Sequence, residues 1–234
     1  MFDNKAAVKK GIVDSLPIAA GYLGVSFSFG ILAASYGIGP ITASLISILN
    51  VTSAGQFAGI TAISTGAGYF ELFLTQLIIN LRYSLMSLSL SQKLSHDFDT
   101  KKRMISSFWI TDEIFAVASA NEKPVTFPYM VGLGLPPIAG WTLGTLLGAI
   151  AGSVLPASLL SALGIALYAM FVAIVLPPAR ENKSVAIVAV IALTISCIIY
   201  YVPAFDGITS GFSVIITTLI AAGLGALLFP LSES

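Results

Sequence analysis

The chain has 234 residues, of which 56% are hydrophobic and only 9% charged, and its acidic and basic side chains balance to no net charge. Globular domains carry about 25% charged residues, so this composition, with a mean hydropathy of +0.95, excludes a soluble fold for want of polar surface. Balanced charge without a basic cluster gives no reason to expect a nucleic-acid partner. The charges are also segregated: Glu71 and Arg82 alone lie between Ser15 and Gln92, and none lies in Val125–Ala179 or Ser184–Ala204. Crossing a bilayer as a helix takes about 20 apolar residues. The expected fold is therefore an all-α polytopic membrane protein, a single domain over 1–234, with about six to eight membrane helices including broken or re-entrant ones.

In chain order, "MFDNKAAVKKGIVDSLPIAAGYLG" has the look of a signal peptide. It lacks the small-residue cleavage site, and Asp3 and Asp14 interrupt it, so it reads as a short cytoplasmic leader. A first span runs from about Leu16 to Tyr36. Pro40–Gly68 is apolar but broken by "NVTSAGQ", and a strong span follows from Phe70 to about Ser91. The polar loop "QKLSHDFDTKKR" precedes Met104–Ala120, a short apolar segment holding "TDE". Further spans fit Phe127–Val154, Ser184–Val202 and Ile208–Phe229, with apolar Pro156–Pro178 among them. Lys5, Lys9 and Lys10 favour a cytoplasmic N-terminus, and the cations at 93–103 remain on that side if Pro40–Gly68 dips in and returns. Irregular backbone at membrane depth is tolerated where it lines a cavity, which suits "NVTSAG".

An internal comparison points to duplication. Residues 43–60 align without gaps to 157–174, with identities at Ala43, Ser44, Leu45, Ser47, Leu49, Phe57 and Ile60, and "PIAAGYLG" at 17–24 echoes "PIAGWTLG" at 137–144. The repeat-like halves are about 15–92 and 127–202, with 104–120 connecting them and 208–229 as the last helix. With one re-entrant element the halves begin on opposite sides, the inverted-repeat plan of secondary transporters. The first copy alone carries "NVTSAGQF" and "NLRYS".

Polar residues inside apolar runs are the candidate functional groups. Arg82 stands about eleven residues, or roughly 16 Å of helix, before Lys93. It either snorkels to the interface or faces a cavity or a carboxylate, for which its planar fork is suited. Gln76, Asn80 and Tyr83 share one face beside it. Asp112 and Glu113 in "WITDEIFA" either cap a helix start, or one pairs with Arg82 while the other carries a proton. Asn50, Thr52, Ser53 and Gln56 around Gly55 and Gly59 either pack helices through small residues or hold a substrate with unwound amides. The glycines of "VGLGLPPIAGWTLGTLLGAIAG" serve close helix packing. Cys197 is alone in an apolar run and His96 alone on a polar loop, so no disulfide, metal site or cofactor site is expected.

In this order, "PIAAGYLGVSFSFG", "AGQFAG", "NLRYSLMSLSL" and "TDEIFA" resemble the AzlC family, the large subunits of bacterial branched-chain amino acid exporters, over about Gly11 to Pro230. The resemblance implies export of valine, leucine and isoleucine, with methionine a further candidate, across the bacterial inner membrane. It also implies a small partner membrane subunit of the AzlD type. One position departs from the family pattern: the block "NLRH" reads "NLRY" here. If that histidine handles protons, coupling falls to Asp112 or Glu113. The expectation is thus a proton-coupled secondary exporter and not an enzyme. Its substrate site would draw on Arg82, Asn80, Gln56, Thr52, Ser53, Gly55 and Tyr83. The alternatives are a membrane scaffold or channel subunit and a lipid enzyme, the last lacking a nucleophile–base pair or metal ligands.

Overall fold

A computed structural model describes residues 4–96, 98–156, 172 and 175–230. Among them the chain is helical with no strand. Helix α1 (Asn4–Ser35) absorbs the leader into the first span. The expected interruption of 40–68 is present: α2 (Pro40–Leu49) and α3 (Ala54–Ser64) flank a break at 50–53. Helix α4 is Tyr69–Ser91. The segment 104–120, read as one apolar stretch, is two short helices, α5 (Thr100–Ser107) and α6 (Asp112–Ser119), around a second break at 108–111. Helix α7 is Phe127–Val154, as expected, followed by α8 (Lys183–Tyr201) and α9 (Ser210–Leu228). Most of Pro156–Pro178, and all of the repeat block 157–174 except residue 172, lies outside the described residues. Among those described, α1, α7, α8 and α9 are long and apolar enough to cross a membrane. Helix α4 has 23 residues but carries Glu71, Gln76, Asn80 and Arg82.

The chain divides into two compact units, one of residues 1–56 and 80–164, the other of residues 57–79 and 165–234. The first is organised by a seam between α1 and α7 that only glycine permits. A Cβ on Gly148 would lie 2.0 Å from the Phe27 carbonyl oxygen, one on Gly132 2.2 Å from that of Val8, and one on Gly30 2.2 Å from that of Thr145. The contacts are with backbone, so no rotamer change relieves them; small residues bring the two axes together. Low-numbered residues meet low-numbered residues, so α1 and α7 run parallel, with Gly140 against Ala19 and Gly144 against Leu23. This corrects the inverted relation expected of blocks 17–24 and 137–144. Inversion would set their helices antiparallel, whereas parallel neighbours are related about an axis along the membrane normal.

Several elements share one end of this unit. Lys10 pairs with Asp14 at 2.7 Å and lies over the Tyr129 ring, while the Tyr129 hydroxyl donates to Asp14 at 2.9 Å. Lys93 Nζ donates to the Ser119 carbonyl, Leu94 bridges to Val125, and the Phe98 ring meets Phe127 edge-on. The start of α1, the end of α4, the end of α6 and the start of α7 are therefore together. The hairpin α5–α6 leaves that end and returns to it, with its tip at 108–111. The packed side chains beneath are Leu90, Trp109, Ile114, Met130 and Leu133, with the Trp109 ring seated on Gly134.

In the second unit, the later turns of α3 and the first half of α4 are joined at 65–68, where Gly66 has φ +73°. Gly59 there faces Gln76. Helix α9 packs on α8 through Gly225 against Val188. Helix α8 buries no side chain and is apolar all round, as a lipid-facing helix would be.

Candidate functional site

Both breaks of the first unit converge on the middle of α4. The first, 50–53, is rich in side chains that compete with the backbone for hydrogen bonds. The Thr52 amide bonds to the Asn50 carbonyl, the Thr52 hydroxyl donates to Asn50 Oδ1 at 2.8 Å, and Ser53 takes φ +50°. A left-handed serine is uncommon and marks a backbone held by its surroundings. The second break ends at Thr111, whose Oγ1 caps α6 by accepting from the Ile114 amide. Asp112 and Glu113 thus occupy the first turn of α6, where the partial positive charge of a helix start favours carboxylates.

Arg82 joins the two. Its Nη1 lies 2.5 Å from Asp112 Oδ2, and its Nη2 donates to the Tyr83 hydroxyl at 3.1 Å. The Tyr83 hydroxyl in turn reaches the Thr52 carbonyl at 3.4 Å, a long contact, and the guanidinium sits over its own neighbour's ring. The side chains of Arg82 and Asp112 are 42% and 47% exposed, so the pair is open on one side. Arginine carries five N–H donors, and two are used in these bonds. Of the two readings open from sequence, Arg82 meets a carboxylate, and that carboxylate belongs to Asp112. The helix start expected at "TDE" is present, but its capping side chain is Thr111, and Asp112 and Glu113 stand in the first turn with other partners.

Glu113 has a different partner. Its Oε2 is 2.5 Å from the hydroxyl of Tyr22, a buried residue of α1, and that hydroxyl is 2.6 Å from Thr111 Oγ1. A tyrosine has one proton, and an ionised carboxylate only accepts. Tyr22 faces both oxygens as donor, so its one proton is shared between Glu113 Oε2 and Thr111 Oγ1.

Gln56 is placed elsewhere. It is 1% exposed, accepts from Trp141 Nε1 at 2.7 Å and donates to Ser47 Oγ at 2.7 Å; Ser47 and Thr145 share a 2.6 Å bond. This buried chain ties α2 and α3 to α7. Tyr22 packs edge-on against Trp141 at 5.1 Å, linking the chain to the carboxylates. Gly55 is buried in the first turn of α3, Thr52 and Ser53 are partly exposed at the tip, and Asn80 is half-buried on α4. The structure thus brings Arg82, Tyr83, Thr52, Asp112 and Glu113 together and keeps Gln56 among buried packing groups. Tyr22, Ser47, Thr145 and Trp141 were not singled out by sequence, having no local pattern to distinguish them.

The family model described as "AzlC protein" matches residues 17–155. The chain belongs to the AzlC family. Among curated relatives of this AzlC member is an uncharacterized membrane protein of Archaeoglobus fulgidus, 36% identical, with the match covering 74% of this chain and 76% of the relative. The inner membrane protein YgaZ of Escherichia coli is 30% identical over 79% of this chain and 78% of its own. An uncharacterized membrane protein of Helicobacter pylori is 29% identical over 65% and 68%. No solved structure matches. The family match contains every group of the Arg82 cluster and both breaks, so the site is built within the part of the chain that defines the AzlC family.

Proposed function

We propose that this chain is the large subunit of a proton-coupled secondary exporter of branched-chain or similar neutral amino acids: valine, leucine and isoleucine, with methionine a further candidate. In this reading it lies in the bacterial inner membrane, works with a small AzlD-type subunit and catalyses no covalent reaction. The observation that carries the proposal is the half-exposed Arg82–Asp112 pair, held where the helix breaks at 50–53 and 108–111 meet. A zwitterion carries a carboxylate and an ammonium, and the cluster offers a guanidinium beside two carboxylates. The substrate carboxylate takes the place of Asp112 on Arg82, exchanging one bidentate-capable acid for another. Its ammonium meets Asp112 or Glu113. A proton taken by that acid removes the ammonium's partner, so substrate and proton exclude one another at one carboxylate, which is the linkage that exchange of an inward proton for an outward substrate requires. Lys5, Lys9, Lys10, Lys93, Lys101, Lys102 and Arg103 belong to the end of the unit shared by the α1 start and the α5–α6 hairpin; by the positive-inside rule this supports a cytoplasmic N-terminus.

The test is accumulation of radiolabelled valine in inverted membrane vesicles containing the chain and its small subunit, with and without a pH gradient. Gradient-dependent accumulation is expected. Its absence with both subunits present would refute the proposal.

A further inference from the structure

Glu71 is the one other charged side chain between Ser15 and Gln92, and the Arg82 cluster does not use it. It belongs to the second unit, in the first turn of α4, and is 7% exposed. Its Oε1 accepts from the Thr209 hydroxyl and, at 3.1 Å, from the Gly211 amide at the start of α9. A Cβ on Gly211 would stand 2.5 Å from Glu71 Oε1 and 2.8 Å from Thr75 Oγ1, so only glycine lets the carboxylate reach that amide. The same two distances put the Thr75 hydroxyl beside the carboxylate. Thr75 is fully buried, and its Oγ1 has no hydrogen-bond partner among the described residues. A cavity of about 410 Å³ opens on Glu71, lined also by the 65–68 turn, Thr209 and Ser210.

A helix cap alone accounts for the bonds to Thr209 and Gly211. It does not account for a buried hydroxyl on the next turn with no partner among the described residues, where valine would fill the same shape without stranding a polar group. The side-chain donors around the cavity are all oxygens, one of them anionic, and oxygen-only sites select small hard cations. The start of α9 offsets part of the carboxylate charge, which leaves room for a monovalent cation rather than a divalent one.

We propose that Glu71, Thr75 and Thr209 form a binding site for one small monovalent cation, a proton or a sodium ion, distinct from the Arg82 cluster. Residues 57–79 and 209–228 contain no other Asp, Glu, Lys, Arg or His. Tyr69 of α4, Cys197, Tyr200 and Tyr201 of α8, and Asp206 before α9 are exposed, so none of them faces the carboxylate.

The experiment uses the purified full chain in detergent. Melting temperature is measured in sodium chloride against N-methylglucamine chloride at equal ionic strength, and infrared difference spectra are recorded across pH. If sodium is the ligand, it raises the melting temperature of the wild type and the rise is lost in Glu71→Gln. If the proton is the ligand, a protonated-carboxyl band appears on acidification and is lost in Glu71→Gln. Thr75→Val keeps the shape and removes one ligand oxygen. It weakens the sodium response by about tenfold in concentration, the scale of one net hydrogen bond, or shifts the pH at which the band appears. A purely structural Thr75 would move overall stability but neither of these responses. Identical sodium and pH responses in wild type and Glu71→Gln overturn the proposal. Should Glu71→Gln fail to fold, an unchanged response in Thr75→Val overturns it equally.

Discussion

Replacing Arg82 by Gln leaves the Asp112 carboxylate facing a neutral amide where it had a guanidinium 2.5 Å away. Removing one partner of a fully buried pair costs about 3–5 kcal/mol, while exposed pairs contribute about 0–1. With side chains 42% and 47% exposed, solvent screens a large part of the interaction, and the expected loss is about 1–2 kcal/mol. In a chain of this size that is about 3–6 °C in melting temperature. Asp112→Asn strands the guanidinium and costs a similar amount. The double variant Arg82→Gln/Asp112→Asn strands neither group and recovers most of the stability. Transport behaves differently if the pair is the substrate's carboxylate site: valine export fails in both single variants and in the double variant. The assays are thermal unfolding in detergent and valine accumulation in inverted vesicles for all four proteins. Restored export in the double variant would mean the pair only holds the fold, and the reasoning above would be wrong.

Three further outcomes follow from the same geometry. Gly148→Leu forces a side chain into the Phe27 backbone and should lower stability by about 2–3 kcal/mol, whereas Gly24→Ala, with nothing within 4 Å of its Cβ, should be neutral or slightly stabilising in the same melt. Trp141→Phe keeps the ring packing but leaves the buried Gln56 Oε1 without its donor. A loss of about 1–3 kcal/mol is expected, and an unchanged melting temperature would show that the buried chain contributes nothing. In a Cys197→Ser background, cysteines at Lys9 and Lys123 should react with an impermeant maleimide in inverted vesicles and one at Tyr36 only in right-side-out vesicles. Labelling of Lys9 and Lys123 from opposite sides would contradict the shared end.

The break at 50–53 was legible because "NVTS" concentrates residues whose side chains bond nearby backbone and so compete with the helix. Helix α7 was legible because a long charge-free run bounded it, and its glycines announced close packing. The α5–α6 break was not. "SFWIT" holds no glycine or proline, and the helix-start signature of Thr111 followed by acidic residues sits inside an apolar run that reads as continuous. Arg82 was recognisable by the cost of its place, yet its partner was open between Asp112 and Glu113. What separates these acids is Tyr22, a residue 91 positions away from Glu113 in α1, and no local spacing reports such a pairing. Gln56 is the converse case. A polar residue beside a break looked like binding equipment, but its donor Trp141 comes from 85 residues away. The parallel run of α1 and α7 was missed because apolar repeat blocks carry no directional signal of their own.

The two halves of the α5–α6 hairpin have eight residues each. Isolated helices shorter than about 12–15 residues are marginal on their own, so this hairpin owes its order to what its tip and flanks touch. Asp112 on Arg82 and Glu113 on Tyr22 are two of those holds, and the first is the one a substrate carboxylate would displace. Amide hydrogen exchange should therefore begin in residues 100–119 while the glycine seam stays protected. In this fold, the segment that carries the carboxylates is also the segment that a ligand can most cheaply loosen.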